Sequence, residues 1–192
     1  MTPYLAWPRA RRSDETISLR AIEPEDIEAV RQWRNAQMDV LRQVSPISEK
    51  AQVAYFSQHV WPQKALAEPS QILFAIEREG GLSGYGGIVN LSWPNRRGEI
   101  SFLLDPAIAA QPAIYRDICQ RYFRLVQAVG FEDLGLARLF TETFSHRSAH
   151  IAALESVAMI LEGRLRDHVL VNGKPTDAVI HAILSREWSP NG

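Results

Sequence analysis

A chain of 192 residues, 46% of them hydrophobic, favours a single domain with a substantial core. Its formal net charge of −1 gives no bulk attraction to nucleic acid or to an anionic membrane, and its single cysteine excludes an internal disulfide. No apolar run approaches the ~20 residues of a membrane span, so we expect a cytoplasmic protein that binds neither nucleic acid nor membrane.

The first half of the chain predicts one strand, two helices and three further strands. Its start contains arginines but no apolar run behind them, so residues 1–15 are predicted as a flexible N-terminal arm and residues 16–192 as one domain. Period-two alternation predicts a strand at 16–22. Pro24 and Ser48 each mark the start of a helix, as a first-turn proline and as an N-cap. The three strands are predicted at 71–77, 83–93 and 99–105.

The second half predicts a helix, a strand, a helix and a final hairpin. The helices are predicted at about 113–131 and at 146–158, with a strand at 137–144 between them. Asn172-Gly173 is a strong hairpin signal. The strands before and after the long helix should be parallel, with a right-handed crossover, and the other strands antiparallel. The predicted fold class is therefore mixed α/β (α+β), with a mostly antiparallel central sheet and helices on both faces.

Two positions that resemble functional motifs have simpler explanations. Gly86 and Gly87 lie inside a predicted strand, which indicates close backbone packing or a bulge more than a phosphate loop. Cys119 lies in the middle of a predicted helix, which is typical of a buried and unreactive thiol.

Five segments between about residues 17 and 188 carry a resemblance to a known family: ISLRAIEPEDIEAVRQWRN, EISFLLDP, GFEDLGLARLFTETF, IAALE and EGRLRDHVLVNGK. In this order they resemble the GNAT (Gcn5-related) N-acetyltransferase superfamily, nearest its Rim-type ribosomal-protein and nucleotide-amino-sugar branches. The resemblance implies an N-acetyltransferase with acetyl-CoA as co-substrate, and a splayed pair of parallel strands at 99–105 and 137–144. It also implies a primary amine as acceptor.

The resemblance places acetyl-CoA in the gap between these two strands. Backbone groups of Phe102, Leu103 and Leu104 would pair with the pantetheine amides as a further strand would. A bulge near Ser101 or Phe102 would aim a donor at the thioester oxygen.

The pyrophosphate loop departs from the family pattern [RQ]-x-x-G-x-[GA], because this chain reads AIAAQPAIY there. Gln111 stands at the first position, both glycines are absent, Arg147 stands near the family's asparagine, and Leu154 replaces its tyrosine acid. A helix N-terminus still offers N–H groups and partial positive charge without glycines. We therefore expect the corner to hold pyrophosphate, the alternative being a plain connection. The residues assigned to it are Gln111, Ala113, Ile114, Tyr115, Arg116 and Arg147.

Glu99 is the first candidate for the general base, because it opens the strand that would hold the thioester. The alternative is an ion pair with Arg96 or Arg97. His146 and Ser145 are the candidate proton donors. His146 and His150 have i, i+4 spacing, but no third ligand is spaced to support a metal, so none is predicted.

The acceptor site is predicted from loops that combine tryptophan and arginine, with Arg34, Asn35, Trp93 and Arg96 as its residues. This combination favours a nucleotide-linked amino sugar slightly over a protein N-terminus. The alternative function is a non-catalytic GNAT-like domain that binds acyl-CoA or a protein partner without turnover. A monomer or a homodimer is expected.

Overall fold

One mixed sheet of eight strands forms the centre of the fold. In the computed structural model, which describes residues 2–190, the strands are β1 (Arg12–Ser13), β2 (Ile17–Ala21), β3 (Ile72–Arg78), β4 (Gly81–Ser92), β5 (Arg97–Leu104), β6 (Arg138–Phe144), β7 (Ile160–Val171) and β8 (Lys174–Leu184). They lie in the order β1-β2-β3-β4-β5-β6-β8-β7, and every neighbouring pair is antiparallel except β5 and β6. The predicted mixed, mostly antiparallel sheet is confirmed.

Five α-helices flank the sheet: α1 (Ile27–Ala36), α2 (Glu49–Tyr55), α3 (Pro106–Ala109), α4 (Pro112–Ala128) and α5 (Ser148–Glu155). The Ser48 hydroxyl accepts the Ala51 N–H and caps α2, as its residue type predicts. One further turn continues α4 to Asp133. In the part of the chain that the structure describes, no helix is long and apolar enough to cross a membrane.

The two faces of the sheet carry separate cores. On one face, α4 and α5 pack against the strands through residues that include Ile118, Tyr122 and Leu154. On the other face, Trp33 of α1 and Phe56 after α2 pack with Tyr85 and Leu103. Side chains on this second face therefore point towards α1, α2 and the loop between them.

The predicted flexible arm is wrong for residues 2–15. The side chains of Tyr4 and Trp7 are completely buried. The Trp7 ring contacts Phe74 of β3 edge-on, with ring centroids 4.9 Å apart, and its indole N–H donates to Asp133 at 2.9 Å. Two large aromatic side chains fill one end of the core, so this segment is part of the domain.

The sheet opens between β5 and β6. Their parallel pairing consists of Arg97 with Arg138, Gly98 with Leu139, and Glu99 with Phe140. Beyond Glu99, β5 continues to Leu104 and β6 to Phe144 without pairing to each other. The splayed parallel pair that the resemblance implied is present, and the gap opens at the level of Glu99.

Candidate active site

The β5 wall of the gap presents backbone groups of alternate residues. Asp105 donates its N–H to the Ser83 carbonyl at 2.9 Å, on the side of β4. Because backbone direction alternates along a strand, Leu103, which pairs with Tyr85, also faces β4, while Phe102 and Leu104 face the gap. The prediction for Leu103 is therefore corrected. The Leu104 carbonyl already accepts a hydrogen bond from the Gln37 side chain at 2.8 Å.

The predicted bulge near Ser101 or Phe102 is not present, since the register between β4 and β5 is regular from Gly84 to Val89. Instead, the Tyr122 hydroxyl of α4 donates to the Ser101 carbonyl at 2.6 Å. Burial raises the pKa of this hydroxyl, so it stays protonated and remains a donor. Gly86 permits the contact, because a Cβ there would collide with both the hydroxyl and the Ser101 carbonyl. The close packing predicted for Gly86 is thus confirmed.

The N-terminus of α4 offers fewer donors than the sequence suggested. Tyr115 donates its N–H to the Gln111 carbonyl at 2.8 Å, which is the first hydrogen bond inside the helix. Pro112 has no N–H, so the first turn leaves the N–H groups of Ala113 and Ile114 for a ligand. The Gln111 side chain donates to the Ala107 carbonyl at 3.0 Å and does not cap the helix.

Three side chains connect the starts of α4 and α5. Arg147 donates to the Tyr115 hydroxyl at 3.3 Å, and that hydroxyl lies 2.9 Å from His150 Nδ1. Burial raises the pKa of Tyr115, and burial with the nearby Arg147 charge lowers the pKa of His150 well below its ordinary value. Tyr115 is therefore the donor to a neutral His150. Arg147 and Tyr115 come together as the sequence predicted, and Arg116 is exposed on the next position of α4.

The two predicted proton donors lie far along β6 from Glu99. Phe140 is level with Glu99, and Ser145 follows five residues later, which is about 16 Å along an extended strand. His146 is exposed and lies before α5, which begins at Ser148, so the predicted helical pairing of His146 with His150 is wrong. Among the hydrogen bonds of the described residues, neither Ser145 nor His146 shares a partner with Glu99.

Glu99 lies on the face of the sheet that carries α1 and α2, at the point where the gap opens. Its carboxylate accepts hydrogen bonds from Arg42 at 2.9 Å and from Asn90 at 2.7 Å. The expected alternative partners, Arg96 and Arg97, are not the ones used. Arg42 belongs to the loop between α1 and α2 and was missed, because nothing in a loop sequence indicates which distant strand it contacts.

Arg42 also reaches a second carboxylate that sequence reasoning missed. Its Nε lies 3.2 Å from Glu142 Oε1, and His168 Nε2 lies 3.5 Å from the same oxygen. Glu142 is two residues beyond Phe140, so it shares a face with Phe140 and with Glu99. That alternation was readable in the sequence, since both strands were predicted to be parallel neighbours.

A cleft of about 580 Å³ adjoins Glu99 between α1, α2 and the strands β3 to β5. Its lining is mainly apolar and aromatic, with Val30, Tyr55, Phe56, Tyr85 and Val89 among its residues. Asn90, which donates to Glu99, lines it as well. Arg34 is the charged side chain in this lining, and it donates to the Tyr85 hydroxyl at 2.6 Å. Of the four predicted acceptor residues, Arg34 is thus one that lines this cleft.

The other three predicted acceptor residues have structural roles. Asn35 bonds the backbone N–H and carbonyl of Ile47 at 2.8 and 2.9 Å, which fixes the end of the loop. Trp93 donates to the Pro69 carbonyl, and Arg96 donates to the Gly135 carbonyl. Trp93 and Arg96 lie in the β4–β5 turn, at the closed end of the β5–β6 pair, so their assignment to the acceptor site is corrected.

Residues 19–180 match the family model described as an acetyltransferase (GNAT) domain. The chain belongs to the GNAT acetyltransferase family. The "Putative ribosomal N-acetyltransferase YdaF" of Bacillus subtilis (strain 168) is 25% identical over 91% of this chain and 94% of that protein. The spermidine N(1)-acetyltransferase of Escherichia coli (strain K12) is 22% identical over 92% of this chain and 90% of that protein.

The fold is shared with solved members of the family. A crystal structure of spermidine N-acetyltransferase from Vibrio cholerae, in complex with CoA and spermine, superposes with a TM-score of 0.80 at 16% identity. The match covers 91% of this chain and 98% of that one. As a GNAT member, the protein is an N-acetyltransferase whose co-substrate is acetyl-CoA.

The residues present fit this co-substrate. The gap beside Phe102 and Leu104 offers strand-edge groups to an amide-containing arm. The first turn of α4, with Arg116 and Arg147 near it, offers N–H groups and positive charge to a diphosphate.

Proposed function

We propose that the protein transfers the acetyl group of acetyl-CoA to the α-amine of a peptide or protein N-terminus, with Glu99 as general base. The observation that carries the proposal is the position of the Glu99 carboxylate. It lies where β5 and β6 separate, and it accepts a hydrogen bond from Asn90, which lines the apolar cleft in which an acceptor would bind. An α-amine has a pKa of ~8, which is about two units below that of an alkyl amine. Its ammonium form therefore loses a proton more readily, and the demand on a carboxylate base is smaller.

Acetyl-CoA supplies the activated acetyl group. Backbone groups of β5, N–H groups at the start of α4 and two arginines are proposed to hold it and to stabilise charge during transfer. The backbone of Phe102 and Leu104 would align the pantetheine arm along β5. The Phe102 N–H would donate to the carbonyl oxygen as negative charge develops there. Ala113 and Ile114 N–H groups, with Arg116 and Arg147, would hold the pyrophosphate.

The lining of the acceptor cleft supports a peptide more than the other candidates. Spermidine carries several ammonium groups, and although one could lie beside Glu99, none of the residues that line this cleft is an aspartate or a glutamate that would hold the others. The preference for a nucleotide-linked amino sugar depended on Trp93 and Arg96, which lie elsewhere. Arg34 beside the Tyr55, Phe56 and Tyr85 rings suits a peptide with an acidic or aromatic residue near its free amine.

The proposal is tested by incubating the protein with acetyl-CoA and one amine class at a time, and by measuring free thiol. We expect thiol release with short peptides that have a free α-amine, and much less with spermidine, with a nucleotide-linked amino sugar or with the same peptides acetylated at the N-terminus. Glu99→Gln should lower kcat by roughly 10²-fold to 10⁴-fold at neutral pH, because it removes the base.

Glu132→Gln is the matched control, since Glu132 forms an ion pair with Arg12 outside the cleft, and it should keep the wild-type rate. Thermal stabilisation by acetyl-CoA should be the same in both variants. Stabilisation without thiol release from any amine would instead indicate a domain that binds acyl-CoA without turnover.

A further inference from the structure

Arg42 occupies a position between two carboxylates that an ammonium ion would also suit. Its guanidinium donates to Glu99 at 2.9 Å and lies 3.2 Å from Glu142. The Arg42 side chain is 50% exposed, whereas the side chains of Glu99 and Glu142 are 12% and 17% exposed. The carboxylates are therefore fixed in the sheet, and the cation that joins them comes from a loop at the surface.

Glu142 is incompletely satisfied by this arrangement. Its Oε1 atom is buried, and no donor is aligned for a hydrogen bond with it, although Arg42 and His168 lie nearby. A buried carboxylate oxygen without a donor is costly, because desolvation is not offset by a hydrogen bond. A small ammonium group has three N–H donors and is not constrained by a planar fork, so it can serve both carboxylates with better geometry.

The location of the two carboxylates relates them to acetyl transfer. Glu99 is the last residue of β5 that pairs with β6, and Glu142 lies two residues beyond its partner Phe140 on the same face. They flank the opening of the gap on the side of the acceptor cleft, and Asn90 bonds Glu99 and lines that cleft as well. An amine held between them would lie between the cleft and the gap.

We propose that Glu99 and Glu142 together form the subsite for the reacting ammonium group, and that Arg42 is an internal competitor that must leave before the acceptor binds. The proposal rests on the proposed function for the identity of the ligand as the acceptor amine. Glu142 holds the ammonium form, Glu99 removes one proton to give the neutral nucleophile, and the α1–α2 loop carries Arg42 away from both.

Binding of n-butylammonium to the protein without acetyl-CoA tests the subsite directly, since this probe is fully charged at pH 7. Calorimetric titration should give a Kd about tenfold lower for Arg42→Ala than for the wild type. Arg78→Ala is the matched control, because Arg78 pairs with Glu79 at the β3–β4 turn, and its Kd should equal the wild-type value. Tetramethylammonium has the charge but no N–H donor, so Arg42→Ala should raise its affinity less than twofold.

Glu142→Gln and the double variant with Arg42→Ala complete the test. The single variant should bind butylammonium about tenfold more weakly, and the double variant should lose the gain of Arg42→Ala. An unchanged or higher Kd in Arg42→Ala would overturn the proposal. So would an equal gain for tetramethylammonium, or a gain that persists in the double variant. Melting temperatures of all variants identify any loss of folding.

Steady-state kinetics separate this proposal from the proposed function. With a peptide acceptor, Arg42→Ala should lower KM about tenfold, while Glu142→Gln should raise KM and leave kcat within about twofold. If no amine gives thiol release in the wild type, the proposed function fails, and the butylammonium titration still decides whether the ammonium subsite exists.

Discussion

Gly86 shows how a single missing Cβ shapes the active site. The space above Gly86 is taken by the Tyr122 hydroxyl, which donates to the Ser101 carbonyl of β5. We expect Gly86→Ala to lower the free energy of unfolding by about 1–3 kcal/mol, because the added methyl group overpacks this contact. Adding Tyr122→Phe should restore part of the loss, since it removes the hydroxyl that lies nearest the added methyl group, while the Ser101 carbonyl stays close to it. Urea denaturation of the single and double variants measures both effects.

Gly81→Ala is the control for that series. A Cβ at Gly81 meets only the Arg78 carbonyl, at 3.8 Å, and Gly81 also lies in β4. Its substitution should leave stability unchanged or raise it slightly, because alanine is less flexible than glycine in the unfolded chain. Equal destabilisation by both substitutions would show that the loss at Gly86 does not come from Tyr122.

His150 should make the stability of the protein depend on pH. Its folded pKa lies well below the ordinary value, because the ring is buried and faces Arg147 and His181. Between the folded pKa and the unfolded pKa of ~6.5, the unfolded state binds more protons, so stability falls as pH falls below ~6.5 and is complete above it. The slope for one such group reaches about 1.4 kcal/mol per pH unit.

His150→Gln keeps an acceptor for Tyr115 and cannot gain a proton. Between pH 5 and 7.5 we expect its free energy of unfolding to change less steeply than that of the wild type. Urea denaturation at four pH values measures the two slopes. Parallel slopes would mean that His150 does not contribute to the pH dependence.

At the scale of elements, the sequence predicts those helices and strands in which apolar residues recur with a clear period and a capping or turn residue marks one end. Ser48 caps α2, and Asn172 and Gly173 have the positive φ angles of 50° and 76° that their hairpin requires. The helix predicted after β6, at 146–158, is shorter in the structure, where α5 spans Ser148–Glu155. His146 and Arg147 lie in the turn before it. Local patterns set the type of an element better than its ends.

The candidate site is less readable, because its contacts join distant elements. The sequence proposes Glu99 from its place at the start of a strand and from the family resemblance, whereas its partner Arg42 lies 57 positions away in a loop without a motif. The arginine and tryptophan pattern of the β4–β5 turn was misleading. There, Trp93 and Arg96 bond backbone carbonyls that local sequence does not identify.

At the scale of the whole molecule, the N-terminal segment is an integral part of the core. Trp7 is completely buried against Phe74, and its indole N–H bonds Asp133 at the end of α4. We expect Trp7→Ala to lower the free energy of unfolding by about 3–5 kcal/mol, because it leaves a large cavity and removes one of the donors to Asp133, which keeps Arg9 and Arg12. Leu5→Ala is the control, since Leu5 is 61% exposed, and its effect should be within about 0.5 kcal/mol. Similar melting temperatures for the two variants would contradict this role.

The opening between β5 and β6 also divides the molecule into two leaves. One leaf contains the five strands from β1 to β5 and the other contains β6, β8 and β7, and only three residue pairs join them directly within the described sheet. A long, narrow ligand bound in the gap would contact β5 on one side and β6 on the other, and would thereby bridge the two leaves. Binding of such a molecule should therefore add a connection between the two leaves at their edges, beside the shared core in which Leu19 and Leu139 already join them.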